Sequence, residues 1–412
     1  MKLKFFLMAT AAMTLATSCS SDAVVEDQQA ANEIQFGVTT GSASRAASYY
    51  CNNNKPTQFN VWAATDGKTY FEGESFSQKG GTGNWTIDGD FARFWPSTEV
   101  SFFAVKNNTK YGEGAESFAT VNWDKTKLVP TIDIEVPNLA EKQQDLLYAY
   151  TKATKKAETV VNNKCVANLN FRHALSQVVF KAQNKNKNIY VEISEVQVAN
   201  LQTKGTFTFP TNVTDDKSLN DKHQQTGVIA DNDPSFGKWS YPAQPVVAET
   251  TSTGVFTAVP VLGNGDIVNL TNNEGTATGE GAEKLNENEK IVNSLIVLPQ
   301  TLDAATINST KKPGTTGAYF KVKCLVKNVA KGDGAEPTAD DVTLYNKYIY
   351  IPVNINWQVG KKYIYTFVFS EKGHAGYDEE GNDVLIPIEF NVTVDDFAKG
   401  AETNVDADNG NA

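Results

Sequence analysis

The chain has 412 residues, 40% of them hydrophobic and 21% charged, with a formal net charge of −11. That length exceeds the ~100–200 residues of one domain, and the apolar share is too high for a disordered acidic chain. A net-negative surface with no basic run repels phosphate backbones, so no nucleic acid is expected as a partner.

In chain order, the first element is an address. Met1–Lys4 is a short basic stretch and Phe5–Leu15 an apolar one. The apolar stretch falls short of the ~20 residues of a spanning helix but suits the core of a signal peptide. Leu15-Ala16-Thr17-Ser18-Cys19 follows, and it resembles a bacterial lipobox. Residues 1–18 therefore read as a lipoprotein signal peptide, Cys19 as the lipid acceptor and 19–31 as a tether. The alternative is a secretory signal with an incidental cysteine. Two or more acyl chains hold a protein on a membrane where one gives only marginal binding.

From Asn32 onward, short runs alternate apolar and polar residues and end at Gly, Asn, Asp or Pro. This is the signature of strands. The predicted strands of the first half are Ile34–Val38, Phe59–Ala64, Val100–Val105, Leu146–Tyr150, Val166–Phe171, Gln177–Ala182 and Tyr190–Ala199. Those of the second half are Gly205–Phe209, Ser294–Leu298, Ala318–Val326, Tyr345–Pro352, Tyr363–Phe369 and Ile386–Val394. Alternation puts Tyr363, Tyr365, Phe367 and Phe369 on one face, and Ile388, Phe390, Val392 and Val394 on one face of another strand. Phe367 and Phe390 are expected in the core.

Helical periodicity is confined to Leu139–Asp145 and Ala282–Lys290, and Gly73–Asn84, Asn107–Ser117, Thr211–Gly227, Asp231–Gly237, Asn264–Asn288 and Lys327–Asp341 read as polar loops. The pattern is all-β, organised as two β-sandwiches in tandem. The expected units are 32–160 and 161–397, with the junction between Thr151 and Val166, and 398–412 is a flexible tail.

Catalytic and metal signatures are missing from the sequence. No GxSxG, HExxH, Walker loop or strand-following GxGxxG occurs, and no pair among 48 acids can be named as a glycosidase pair. Besides Cys19 there are Cys51, Cys165 and Cys324, widely spaced and without a CxxC. They read as small apolar residues; one disulfide is also compatible, and its pair is not fixed by sequence. No metal site and no cofactor is expected. His173 sits in an apolar strand context and reads as a packed, hydrogen-bonded histidine. Most of the six tryptophans are expected in the core, although they could instead form a sugar platform. An enzyme is not expected.

Several segments together resemble the fimbrillin family, the subunits of type V pili of anaerobic Gram-negative bacteria. They begin with Ile34-Gln35-Phe36, Ser44-Arg45-Ala46 and Phe59-Asn60-Val61-Trp62-Ala63. Trp85, Phe94-Trp95-Pro96 and Val100-Ser101-Phe102-Phe103-Ala104-Val105 follow, then Asp145-Leu146-Leu147-Tyr148-Ala149 and Phe171-Arg172-His173-Ala174-Leu175-Ser176. Late in the chain come Val297-Leu298-Pro299-Gln300-Thr301, Trp357-Gln358-Val359-Gly360-Lys361-Lys362-Tyr363 and Phe390-Asn391-Val392-Thr393-Val394-Asp395-Asp396-Phe397. At Phe397 the family often has Trp, a departure that conserves size.

The resemblance implies two transthyretin-like sandwiches, export as an outer-membrane lipoprotein, and a place in a cell-surface fimbrium that serves adhesion. It also implies head-to-tail assembly with other fimbrial subunits by strand exchange, after a protease removes the N-terminal segment. Arg45 and Ala46 flank the expected cut, and Ile34, Phe36 and Val38 belong to the strand that would be displaced. A host or bacterial surface ligand is implied without being named. The competing reading is a surface glycan-binding lipoprotein, which would share the anchor, the sandwiches and the aromatics.

Overall fold

The computed structural model describes residues 32–40, 56–81, 83–89, 92–107, 119–138, 140, 143–155, 160–161, 164–210, 237–242, 254–263, 265–272, 292–307, 313–314, 316–329, 337–371, 376–378, 380, 382, 384 and 388–396. The early strands are β1 (Gln35–Thr40), β2 (Gln58–Thr65), β3 (Lys68–Gln78), β4 (Trp85–Ile87) and β5 (Val100–Asn107). Next are β6 (Ala119–Asp124), β7 (Val129–Glu135), β8 (Leu146–Ala153), β9 (Val160–Val161) and β10 (Lys164–His173). Then come β11 (Ser176–Asn184), β12 (Ile189–Ala199), β13 (Lys204–Thr208), β14 (Lys238–Ser240) and β15 (Gly254–Val261). They are followed by β16 (Ile267–Asn269), β17 (Thr271–Asn272), β18 (Val292–Asn293), β19 (Leu295–Val297) and β20 (Thr301–Leu302). The last are β21 (Tyr319–Asn328), β22 (Thr343–Pro352), β23 (Ile355–Asn356), β24 (Lys361–Phe369) and β25 (Ile388–Asp396). The all-β expectation holds.

Most strands of the described residues fall into three packed assemblies. In the first, the hydrogen-bonded order β1-β4-β3-β2-β5-β8-β10 returns from β10 to β1. Every neighbouring pair in this ring is antiparallel except β1 and β10. A ring of seven strands cannot alternate direction all the way round, so one parallel seam is unavoidable. Two of the ring's junctions are thin. β1 meets β4 at one residue pair, Phe36 with Trp85, and β10 meets β8 at two, Arg172 with Tyr148 and His173 with Leu147.

The second assembly faces a sheet β16-β11-β24-β25, with β19 also on β11, against a sheet β15-β12-β21-β22. Val178, Phe180, Val191, Ile193, Phe320, Val322, Tyr365 and Phe367 pack in a common core between them. Phe367 is 1% exposed, as alternation predicts, and its ring stacks 6.0 Å from Phe180. The side chain of Phe390 lies outside the described residues, although its backbone pairs with Phe367. Ile364 and Val368 are buried as well, so β24 is covered on both faces and alternation captured only one.

The third assembly is a sheet β14-β13-β7-β6. Its Ile132, Ile134 and Phe207 cluster with Phe103, Val105 and Tyr148 of β5 and β8 and with Leu175, Ile296 and Leu298. β7 and β13 pair from Lys204 with Glu135 to Thr208 with Thr131. Strands from early and late in the chain thus share one sheet. Among strands after the expected junction, β10 pairs with β1 and β8, which precede it.

Three expectations need correction. Gly73–Asn84 was expected as a loop, but Gly73–Gln78 belongs to the eleven-residue strand β3. Gly73 is the extra residue of a β-bulge: Val61 faces Glu74 and Trp62 faces Glu72, so Gly73 is skipped. Its φ of 83° is open to glycine, and a Cβ there would sit 3.2 Å from the Trp62 ring. Within the expected loop Asn264–Asn288, β16 and β17 form because β11 and β18 offer open edges. The expected helix Leu139–Asp145 is not helical at Gln143–Asp145, and Ala282–Lys290 lies outside the described residues.

Cys324 is fully buried, and burial pushes its thiol up to about 12. The thiolate is the reactive form and is absent at neutral pH. In a variant with Cys19, Cys51 and Cys165 replaced by serine, iodoacetamide at pH 8 should leave the native protein unlabelled. Labelling should be complete after unfolding, as mass spectrometry would show; rapid native labelling would mean that β21 opens.

Candidate functional site

The candidate site is the seam where β1 closes the first assembly. Ile34 and Phe36 are 0% exposed and Val38 4%. Alternation explains this: Ile34, just before β1, and Phe36 and Val38 within it lie two apart and point the same way, with Gln35 and Gly37 between them. The Phe36 ring meets Phe76 at 4.8 Å, Phe102 at 5.2 Å and Phe59 at 6.0 Å, each edge to face. Phe59 in turn lies 5.0 Å from Phe171 of β10. Ile34 and β1 together thus form a wedge of three apolar knobs in an aromatic core.

The backbone of β1 is held unequally on its two sides. Six consecutive residues, Gln35 to Thr40, are in register with Val166 to Phe171 of β10. Toward β4 only Phe36 and Trp85 pair, supplemented by Asn84 Nδ2 donating to Gln35 Oε1 at 3.2 Å. Just before the strand, Ile34 N donates to Arg93 O at 2.7 Å and Trp95 N to Asn32 O at 2.9 Å. Without β1, β10 would keep a bare edge of six residues over an apolar groove. Such an edge is a template for another strand.

Of the residues singled out from the sequence, the structure thus brings Ile34, Phe36 and Val38 together. Cys19, Arg45 and Ala46 lie outside the described residues. His173 is buried, and its Nδ1 lies 2.8 Å from Asp145 Oδ2, where β10 meets the start of β8. That geometry suits a packed structural histidine. Trp85, Trp95 and Trp357 are buried, whereas Trp62, Trp123 and Trp239 are half-buried around the third sheet, so half of the tryptophans are in the core. Among the described residues, no group of three or more His, Cys, Asp or Glu could hold a metal, and no helix is long and apolar enough to cross a membrane.

Sequence reasoning named the knobs of β1 but missed the partner of the seam. Nothing local in Val166–Phe171 says which strand will lie beside it, because pairing between segments 130 residues apart carries no periodic signal.

Comparison with known proteins bears on the whole chain. A model of the fimbrillin-like family matches residues 44–395. No curated protein matches. Among solved structures, a candidate cell adhesion protein from Bacteroides uniformis ATCC 8492 is 13% identical with a TM-score of 0.39, covering 89% of this chain and 99% of that one. Another from Parabacteroides distasonis ATCC 8503 is 11% identical with a TM-score of 0.42, covering 89% and 99%. The fimbrial anchor protein Mfa2 from Porphyromonas gingivalis is 12% identical with a TM-score of 0.28, covering 87% and 97%. With the family model spanning most of its length, the chain belongs to the fimbrillin-like family, a family of structural subunits of cell-surface fimbriae.

Proposed function

We propose that this chain is a subunit of a type V fimbria, exported through Cys19 as an outer-membrane lipoprotein and joined to its neighbours by strand exchange. The observation that carries the reading is the seam: β1 and the Ile34 just before it fill an aromatic core with three side chains, but β1 is paired along its length only to β10. Removing it leaves apolar pockets two residues apart, which set the register of an incoming strand, and a free backbone edge, which supplies affinity. One subunit gives a strand and another gives a groove, so the contact is head-to-tail and grows into a filament. The partners are then other fimbrial subunits, with the outer membrane as partner before processing. Within this reading the chain has two tandem units, and β10 belongs to the groove of the first.

The test is expression in an anaerobic Gram-negative host that assembles such fimbriae. Unheated samples should run as a ladder of multimers on a denaturing gel, and boiling should collapse the ladder to monomer. Cys19→Ala should abolish labelling by a radioactive fatty acid and deplete the outer-membrane fraction, since the thiol is the acceptor. A monomer alone, or unchanged fractionation of the Cys19 variant, would sink assembly or the lipoprotein route respectively.

A further inference from the structure

On the side away from β10, the seam runs on beyond β4. Asn32–Ile34 lies antiparallel to Arg93–Trp95, with Glu33 opposite Phe94. The two hydrogen bonds of this station, from Ile34 N to Arg93 O and from Trp95 N to Asn32 O, flank that pair. Glu33 and Phe94 are therefore a non-hydrogen-bonded pair, the type whose Cα atoms come to ~4.5 Å and whose side chains stand closest. Ile34 and Trp95 are buried in the core, so alternation turns Glu33 and Phe94 to the outer face. There Phe94 is 43% exposed, the one aromatic among the exposed large hydrophobics of the described residues.

The segment that carries Phe94 is pinned without help from β1. Tyr70 Oη donates to Phe94 O. Arg93 pairs with Glu74, and its guanidinium carbon lies 6.0 Å from the centre of the Phe71 ring. The Trp95 ring meets Phe102 edge to face at 5.7 Å. These partners belong to β3 and β5, so the station keeps its shape when the first strand leaves. Its occupant fits poorly. Glu33 is half-buried, and among the described residues its carboxylate has no ion pair or side-chain hydrogen bond. Covering the ring costs that carboxylate its water, and keeping the water leaves the ring exposed.

We infer that Phe94 selects the strand that replaces β1, favouring one with an apolar residue in the row of Glu33. The inference rests on the strand-exchange reading of the seam and names the chemistry of the partner. That partner is an extended segment of another subunit with apolar residues in the rows of Ile34, Phe36 and Val38, and a β-branched or aromatic one directly before the first. Such a residue buries the ring that Glu33 leaves wet, and cross-strand pairs of this kind shift an equilibrium by about two- to fivefold. The same row gives the exchange a direction, since the strand that leaves carries the mismatch and the strand that arrives does not.

Urea unfolding of the uncut full chain tests the pair without any assembly. Glu33→Val should raise the folding equilibrium constant about two- to fivefold more in the unmodified background than in a Phe94→Ser background. The comparison cancels the strand propensity of valine itself, which is the same in both. Exchange is tested on chain cut with an arginine-specific protease and offered synthetic peptides of residues 32–40, with and without Glu33→Val, in equal amounts. Bound peptide, counted by mass spectrometry after size exclusion, should favour the Glu33→Val form about two- to fivefold, and the preference should vanish with Phe94→Ser. Equal entry of the two peptides, or equal gains in the two backgrounds, overturns selection by Phe94 and leaves strand exchange standing. Entry of neither peptide overturns strand exchange, and the inference with it, even where the urea coupling is present.

Discussion

Phe36→Ala should destabilise the protein by about 3–5 kcal/mol, the range for emptying a buried phenylalanine site. Phe36 is 0% exposed, and its ring makes edge-to-face contacts with Phe59, Phe76 and Phe102. Aromatic pairs add about 0.5–1.5 kcal/mol each beyond burial, so the upper part of the range is expected. The surrounding strands cannot close the gap, since β10 and β4 fix β1 by backbone bonds on both sides. A loss of several kcal/mol is a large share of a typical domain stability of 5–15 kcal/mol. Urea unfolding followed by tryptophan fluorescence measures it, because Trp85 and Trp95 belong to the same core. A loss below about 1 kcal/mol would mean that β1 does not fill that core in solution.

Cleavage after Arg45 should turn a monomer into a polymer-forming subunit. The run Thr39-Thr40-Gly41-Ser42-Ala43-Ser44-Arg45-Ala46-Ala47-Ser48 is made of small residues with little to bury, the composition at which proteases cut. The other two arginines are tied into the fold. Arg93 is in a salt bridge with Glu74, and Arg172 is half-buried in β10. The cut severs β1 from the body of the chain, but packing still holds it, since each buried apolar side chain contributes about 1.5–3 kcal/mol. The nicked protein should therefore stay monomeric until the fragment dissociates or another strand displaces it. Treatment with an arginine-specific protease, followed by N-terminal sequencing and size-exclusion chromatography, tests each step. Ala46 should appear as the new N-terminus, and multimers should grow with concentration once Cys19–Arg45 is lost. If Ala46 never appears, or if fragment-free protein stays monomeric when concentrated, assembly by this route is wrong.

Strand existence was legible for most strands with a strong apolar stripe, although β7 and the apolar β15 were not among those predicted. Tyr363, Tyr365, Phe367 and Phe369 are all buried as alternation requires, and Ile34, Phe36 and Val38 form the expected stripe. Polar strands escaped notice. β6, β7 and most of β3 pair Thr, Asn, Asp, Glu and Ser with neighbours, and such residues read as loop until a partner strand is present. Gly73 misled for a related reason, because a bulge and a turn call for the same left-handed backbone.

The sequence by itself determined the all-β class, the strand stripes and the resemblance to fimbrillins, because each is written in contiguous residues. Only the tertiary structure decided that β1 runs parallel to β10, that β13 joins β7 in a sheet shared by early and late segments, and that Glu33 stands opposite Phe94. The reason is physical. Alternation has a period of two residues and can be read locally, whereas backbone pairing is chemically the same for every residue and is selected by the packing of the whole chain.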